Sequence, residues 1–171
     1  MNIFKRLLLA IVLFVPVLLA PSIAFGQNNE DPSANVKYEK VNMKDGSRYL
    51  IKRLEEKTIL FFLSFNSEKK INYYEKLLNV RLAELKYIVD NKDIANIQVA
   101  SQRYFTTAGE LTNFLVSKGA SSSKKEEVKN LFSEHIKIIE IFKGTYDNTT
   151  AEWRLLRDDA NYLIDYSTFL K

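Results

Sequence analysis

Apolar residues recur every three or four positions through most of the chain after residue 47, which is the spacing of one face of an α-helix. Five such stripes follow one another, with polar residues between their members. The stripes are Leu50, Leu54, Thr58, Phe61 and Phe65; Ile71, Tyr74, Leu78, Leu82, Leu85 and Val89; Ile94, Ile97, Ser101, Tyr104, Ala108, Leu111 and Leu115; Val128, Leu131, His135, Ile138 and Phe142; and Trp153, Leu156, Ala160, Leu163, Ser167 and Leu170.

These stripes predict five helices, near 47–65, 67–91, 94–118, 123–143 and 149–170. No proline follows Pro32 and glycine is scarce, which favours long helices with short joints over a β-sandwich. Short joints make consecutive helices antiparallel, so we expect an all-α fold, an up-and-down helical bundle of four to five long helices. The segment 58–65 (TILFFLSF) is β-branched and aromatic enough for a strand, but no partner strand lies nearby, so a helix is expected there too.

Two of the predicted helices begin with a capping-box pattern, in which a hydroxyl and a carboxylate satisfy free N–H groups of the first turn. The patterns run from Ser123 to Glu126 and from Thr149 to Glu152.

The N-terminus has the form of an export signal. Lys5 and Arg6 precede an uncharged apolar stretch, Leu7 to Ala20, and small residues stand just before Gln27. We expect a signal peptide at 1–26, a polar linker at 27–46 and the helical bundle at 47–171. The alternative is that residues 7–25 are kept as a membrane anchor, because 19 uncharged residues approach the length of a bilayer span. Both readings place the domain outside the cytoplasm, in the periplasm, at the cell surface or secreted.

Composition removes several classes of chemistry. There is no cysteine, which excludes disulfides, thiolate metal sites and a lipidated N-terminal cysteine. Removing Lys5 and Arg6 lowers the formal net charge from +4 to +2, which gives no argument for a nucleic-acid partner. The sequence contains no glycine-rich phosphate loop and no nucleophile elbow.

The candidate catalytic groups are few. His135 is the only histidine, and the neighbouring Glu134 and Glu140 do not have the spacing of a metal-binding helix, so we expect His135 to face the edge of the core or a neighbouring helix. The paired acids Glu55-Glu56, Glu126-Glu127 and Asp158-Asp159 are expected on solvated faces, with pairs such as Lys52–Glu56 along the helix. We therefore predict no catalytic, cofactor or metal site.

The aromatic residues exceed what one stripe per helix would bury. In adjacent pairs one ring leaves the stripe, which singles out Phe62, Tyr73 and Phe105. These rings either bury between helices or form an apolar groove for a partner. Lys69 and Lys70 open a helix at the end that disfavours cations, and they complete a candidate partner-binding set.

A further indication comes from a partial resemblance over residues 47–91. It rests on Ser47 and Tyr49, on Lys52, Arg53 and Glu56, on the aromatic run 61–65, on Glu68, Lys69 and Lys70, and on Arg81, Leu82, Ala83 and Glu84. The segment resembles an uncharacterised helical domain family of exported bacterial envelope proteins. The chain departs from that family at Asn66-Ser67, where an Asp-Pro turn is usual, and at Arg48, where a proline is usual. The resemblance implies an exported or membrane-attached helical protein and no activity.

Together these patterns predict a non-enzymatic envelope protein that binds another protein or a membrane surface through its helix faces. The alternative is a bundle that holds a small apolar, lipid-like ligand in an enclosed cavity between helices. An enzyme using His135 with carboxylates of another helix ranks third. The sequence leaves the partner and the oligomeric state open.

Overall fold

A computed structural model describes residues 32–36 and 46–171, without the side chains of residues 46–49. Five α-helices make up most of it, and two short 3-10 helices, Pro32–Asn35 and Leu63–Phe65, complete it. No strand occurs in the described ranges. The predicted signal peptide and the rest of the linker lie outside them. The helices are α1 (Gly46–Phe62), α2 (Ser67–Asp90), α3 (Ile94–Ser117), α4 (Ser122–Lys143) and α5 (Ala151–Phe169).

The all-α helical bundle is confirmed, and helices α2 to α5 begin and end within two residues of the predicted positions. Segment 58–65 is helical, although its last turn tightens into a 3-10 helix. The joints end the helices as expected, because Lys92 and Gly119 adopt left-handed backbone conformations with φ of 51° and 60°. In both joints the next N–H bonds back across the turn, from Asp93 to Ile88 at 2.9 Å and from Ala120 to Leu115 at 3.0 Å.

Both predicted capping boxes are wrong. The cap of α4 is Ser121, whose hydroxyl accepts from the Lys124 N–H at 3.3 Å, because the chain becomes helical directly after the Gly119 turn. The cap of α5 is Thr150, which accepts from the Trp153 N–H at 3.2 Å. The hydroxyl of Thr149 instead donates to the Asp147 carboxylate at 2.6 Å.

Four helices form the bundle, and their order in space differs from their order in the chain. Close pairs are α2 with α3, α4 with α5, and α3 with α5, while α2 approaches α4. The first two pairs are antiparallel hairpins. Helices α3 and α5 run parallel, since the Phe105 ring packs against the Tyr162 ring with centroids 4.8 Å apart and Gly109 lies one turn later against Tyr166. A Cβ atom at Gly109 would lie 2.9 Å from the Tyr166 hydroxyl, so the glycine permits this close approach.

The core is apolar and lies between these four helices. Its largest fully buried side chains are Tyr104, Phe132, Phe142, Leu78, Leu85, Ile88, Leu111, Leu115, Ile139, Leu156, Leu163 and Leu170. From Leu50 onward every residue of α1 is at least partly exposed, and among these Leu60 is the one whose side chain packs against the core. The stability of the domain therefore comes mainly from α2 to α5.

Replacing Leu78, which is fully buried on α2, tests this division. Leu78→Ala is expected to lower the free energy of unfolding by about 2–5 kcal/mol, because the lost side chain leaves a cavity. The matched variant Leu54→Ala on α1 should change it by less than about 0.5 kcal/mol, since Leu54 is exposed. Urea unfolding followed by circular dichroism measures both. Equal losses in the two variants would contradict the peripheral position of α1.

Candidate functional site

Helix α1 is amphipathic, and its apolar face points away from the bundle. Six large apolar side chains within 16 residues are 64–91% exposed. At 100° per residue they fall within one third of the helix circumference, so they form one continuous strip. We call this strip the outer face of α1; its members are Leu50, Ile51, Leu54, Phe61, Phe62 and Phe65.

The opposite, inner face of α1 meets the bundle through charges, which we call the ion clamp. Glu56 pairs with the Arg81 guanidinium of α2. Arg81 also donates to both oxygens of Glu84, at 2.9 and 3.1 Å. Glu84 in turn receives Lys52 of α1 at 3.6 Å and Arg103 of α3 at 3.3 Å. The clamp therefore joins three helices through one carboxylate.

The central charges of the ion clamp are buried, and burial makes their pairing necessary for stability. Arg81 and Glu84 are 4% and 2% exposed, and a charge that far from water is strongly unfavourable without a partner. The expectation that Glu56 lies on a solvated face is wrong, because its side chain is only 12% exposed. The carboxylate of Glu56 turns inward, where it gives Arg81 a second counter-charge beside Glu84.

A cleft of about 330 Å³ lies between the inner face of α1 and helices α2 and α3. Two buried polar atoms near its floor have no hydrogen-bond partner among the described residues, Nε of Arg81 and Oε1 of Glu56. The lining mixes charged, hydroxyl and apolar groups: Arg53, Glu56, Lys57, Leu60, Tyr74, Leu77, Arg81, Val99, Gln102, Arg103, Thr106, Thr107 and Glu110.

The three aromatic residues predicted for partner binding lie on three helices and do not form one groove. Phe62 belongs to the outer face of α1 and is exposed. Tyr73 is half-buried on α2, where burial and the nearby Glu56 and Glu55 raise its pKa to about 12. Phe105 is half-buried on α3, and its ring packs against Tyr162 of α5 in a tilted arrangement.

The two predicted lysines lie at the corner between α1 and α2. Lys69 is exposed, and its backbone N–H bonds to the Asn66 cap at 3.0 Å. Lys70 donates to the Ser64 hydroxyl at 3.2 Å, and its ammonium lies 4.9 Å from the centroid of the Phe114 ring. Only Lys69 presents its side chain freely towards solvent beside the outer face.

His135 lies inside the core rather than at its edge, and it faces the neighbouring helices α2 and α3. It is 3% exposed, and burial lowers its pKa to about 3, so the imidazole is neutral. The Tyr104 hydroxyl donates to Nδ1 at 2.9 Å, and Nε2 donates to Oδ1 of Asn79 at 3.0 Å. Both ring nitrogens are occupied within the core, and Glu134 and Glu140 are exposed elsewhere on α4.

Asp159 contradicts the expectation of a solvated acidic pair, because it is fully buried between α5 and α3. Its Oδ1 accepts from the Ser101 hydroxyl at 2.9 Å, while Oδ2 has no partner among the described residues. Burial raises the pKa of Asp159 to about 8, against the opposing effect of the Ser101 hydrogen bond. One signal for this pair is visible in the sequence, because Ser101 lies on a predicted core stripe.

Within residues 32–36 and 46–171, no three His, Asp or Glu side chains cluster closely enough to hold a metal ion. None of the described helices combines the length and the apolar character needed to cross a bilayer.

Comparisons with known proteins found no relative: no protein-family model matches the chain, and no curated protein or solved structure matches it. The resemblance of residues 47–91 to an envelope family therefore stays a prediction.

The ion clamp predicts that loss of its buried carboxylate destabilises the protein more than loss of an exposed carboxylate does. Glu84→Gln removes one counter-charge from the buried Arg81 and from the partly buried Arg103, and should lower the free energy of unfolding by about 3 kcal/mol. The control Glu127→Gln removes a pair with Lys124 in which the glutamate side chain is 62% exposed, and should cost less than about 1 kcal/mol. Urea unfolding distinguishes them, and a neutral Glu84→Gln would argue against the clamp.

The pKa of Asp159 predicts a loss of stability at mildly alkaline pH. The folded protein keeps the Asp159 proton up to about pH 8, whereas an unfolded aspartate with its ordinary pKa of 3.8 has lost it. This group therefore lowers stability as the pH rises from 4 to 8. His135 acts oppositely, because the unfolded imidazole binds a proton below its ordinary pKa of 6.5 and the folded one does not until about pH 3.

The two effects oppose each other below pH 6.5, so the loss should appear between pH 6.5 and 8 and amount to about 2 kcal/mol. Asp159→Asn keeps an acceptor for Ser101 and removes the titration, so its stability should stay level over this range. Urea unfolding at pH 6.5, 7.2 and 8 compares the two proteins. Parallel pH profiles would contradict the assignment.

Proposed function

We propose that this protein is a non-catalytic module that works outside the cytoplasm and docks on an anionic membrane surface through the outer face of α1. The observation that supports the proposal most strongly is the strip of six exposed apolar side chains on one helix face. Contiguous apolar patches of this kind are rare on soluble monomers and mark interaction surfaces or membrane contacts.

The orientation of α1 supports docking over incidental exposure. An ordinary surface helix turns its apolar stripe to the core and its charges to water. Helix α1 does the reverse, with Lys52 and Glu56 in the clamp and Leu54 and Phe61 in solvent. Burying the strip in a lipid interface would recover the free energy that its exposure to water costs, at roughly 25 cal/mol per Å² of apolar surface.

Charge and composition favour a membrane surface as the occupant. By helical position, Arg53 and Lys57 border the outer face on one side, and Lys69 follows it at the α1–α2 corner. Phenylalanine and leucine flanked by cations are typical of helices that lie in a lipid interface. At 17 residues α1 is about 25 Å long, long enough for several side chains to insert together. The predicted signal peptide at 1–26 would place the domain outside the cytoplasm, and its alternative, an anchor retained at 7–25, would hold the domain at that surface.

The remaining geometry supports a non-catalytic role. The one histidine is neutral and hydrogen-bonded inside the core, away from the cleft. The cleft itself carries six charged side chains, which does not match the apolar enclosure that a lipid-like ligand between helices requires.

Vesicle binding tests the proposal. Purified residues 27–171 should co-sediment with vesicles of three parts phosphatidylethanolamine and one part phosphatidylglycerol, and binding should weaken in high salt. Leu54→Glu and Phe61→Glu should each reduce the bound fraction about tenfold, because a carboxylate enters the apolar interface. The control Ile164→Glu changes an exposed residue of α5 and should bind as the parent protein does.

Other occupants of the outer face give different results. If the chain is a dimer that Leu54→Glu makes monomeric, and vesicles are not bound, the face joins two copies and the membrane proposal fails. Binding that is equal in the outer-face and control variants also overturns it.

A further inference from the structure

The cleft behind α1 is a second surface feature, on the side of the helix opposite to the outer face. We propose that it binds a small organic anion, a carboxylate or phosphate ester that also carries a hydroxyl and an apolar group. The cleft shares no residue with the outer face, although Arg53 and Lys57, which border the outer face, also line the cleft.

The charge balance of the lining selects an anion. Four cationic side chains reach the cleft, Arg53, Lys57, Arg81 and Arg103, against the lining carboxylates Glu56 and Glu110 and against Glu84, which pairs with Arg81 and Arg103. Three of the four are arginines, whose planar guanidinium groups match the geometry of carboxylate and phosphate. The deeper charges are held in place by the clamp, so the donors are positioned before any ligand arrives.

Two unsatisfied atoms indicate which further groups the ligand carries. The Nε of Arg81 is a donor, on a side chain 4% exposed, and it has no acceptor among the described residues. The Oε1 of Glu56 is an acceptor without a donor there. Buried polar atoms are rarely left in this state. An anionic oxygen beside Arg81 and a hydroxyl beside Glu56 would satisfy both.

The apolar part of the lining and the volume of the cleft indicate the apolar group and the size of the ligand. Leu60, Leu77 and Val99 reach the cleft together with Tyr74, so one part of its wall is apolar. Its volume of about 330 Å³ lies at the lower end of the range for small-molecule sites. A single ring or short chain next to the anionic group therefore fits better than a long acyl chain.

Thermal unfolding and calorimetric titration with four probes test the proposal. Mandelate combines carboxylate, hydroxyl and ring, and phenyl phosphate carries the phosphate form of the anion. Both should raise Tm by mass action at millimolar concentration in low salt. Benzyl alcohol lacks the charge and inorganic phosphate lacks the apolar part, so each should bind at least about tenfold more weakly than mandelate.

Variants locate the binding. Val99→Trp fills the cleft without changing charge, and Arg53→Gln removes one cation of the lining; both should weaken mandelate about tenfold. Lys137→Gln makes the same charge change on the exposed side of α4 and should leave affinity within about twofold. Thr106→Phe is a second cleft-filling variant in case Val99→Trp unfolds.

Several results decide between site binding and simple charge effects. Equal binding by the filled and parent proteins, or equal weakening by Arg53→Gln and Lys137→Gln, overturns the proposal. If phosphatidylglycerol vesicles displace mandelate from the Leu54→Glu variant, the anion recognised is a lipid headgroup; if they do not, it is a soluble compound. Loss of vesicle binding with retained mandelate binding separates failure of the docking proposal from failure of this one.

Discussion

The burial of Arg81 and Glu84 on α2 determines how the outer part of this protein is arranged. Neither charge is stable so far from water without partners, and α1 supplies Glu56 to one and Lys52 to the other. These two residues lie one turn apart, so pairing them turns one face of α1 inward. The apolar strip lies on the other side of the helix and must then face solvent. The ionic attachment of α1 and its exposed hydrophobic face are consequences of the same contact.

This attachment also creates the cleft. The space between α1 and helices α2 and α3 is partly open, and charged side chains of the ion clamp line it. Both sides of α1 therefore differ from those of a normal bundle helix. Its outer face is apolar although it is exposed to water, and its inner face is charged although it faces the bundle. The proposed docking surface and the proposed anion site divide these two sides between them.

Helical periodicity predicted all five helices, because it depends only on local spacing, and it placed core residues such as Leu78 and Leu111 correctly. It did not predict the direction in which the α1 stripe points. That direction depends on Arg81 and Glu84, which are 25 and 28 residues beyond Glu56 in the chain. Asp159 was misplaced for the same reason, since its partner Ser101 comes from α3. The caps failed because several serines and threonines competed for each position, and the turn geometry chose among them.

Two groups of buried hydrogen bonds inside the core affect how uniquely the helices pack: Ser101 with Asp159, and His135 with Tyr104 and Asn79. Leucine and isoleucine layers are interchangeable enough that two hairpins could stack with α3 against either α4 or α5, or slide by one turn, at similar cost. In the observed arrangement the Ser101 hydroxyl donates to Asp159, and His135 bonds to both Tyr104 and Asn79. Any shifted packing would leave a carboxyl, an imidazole and a phenol buried without partners. These few polar atoms favour one alignment of the two hairpins over shifted ones. Their burial lowers the free energy of unfolding somewhat.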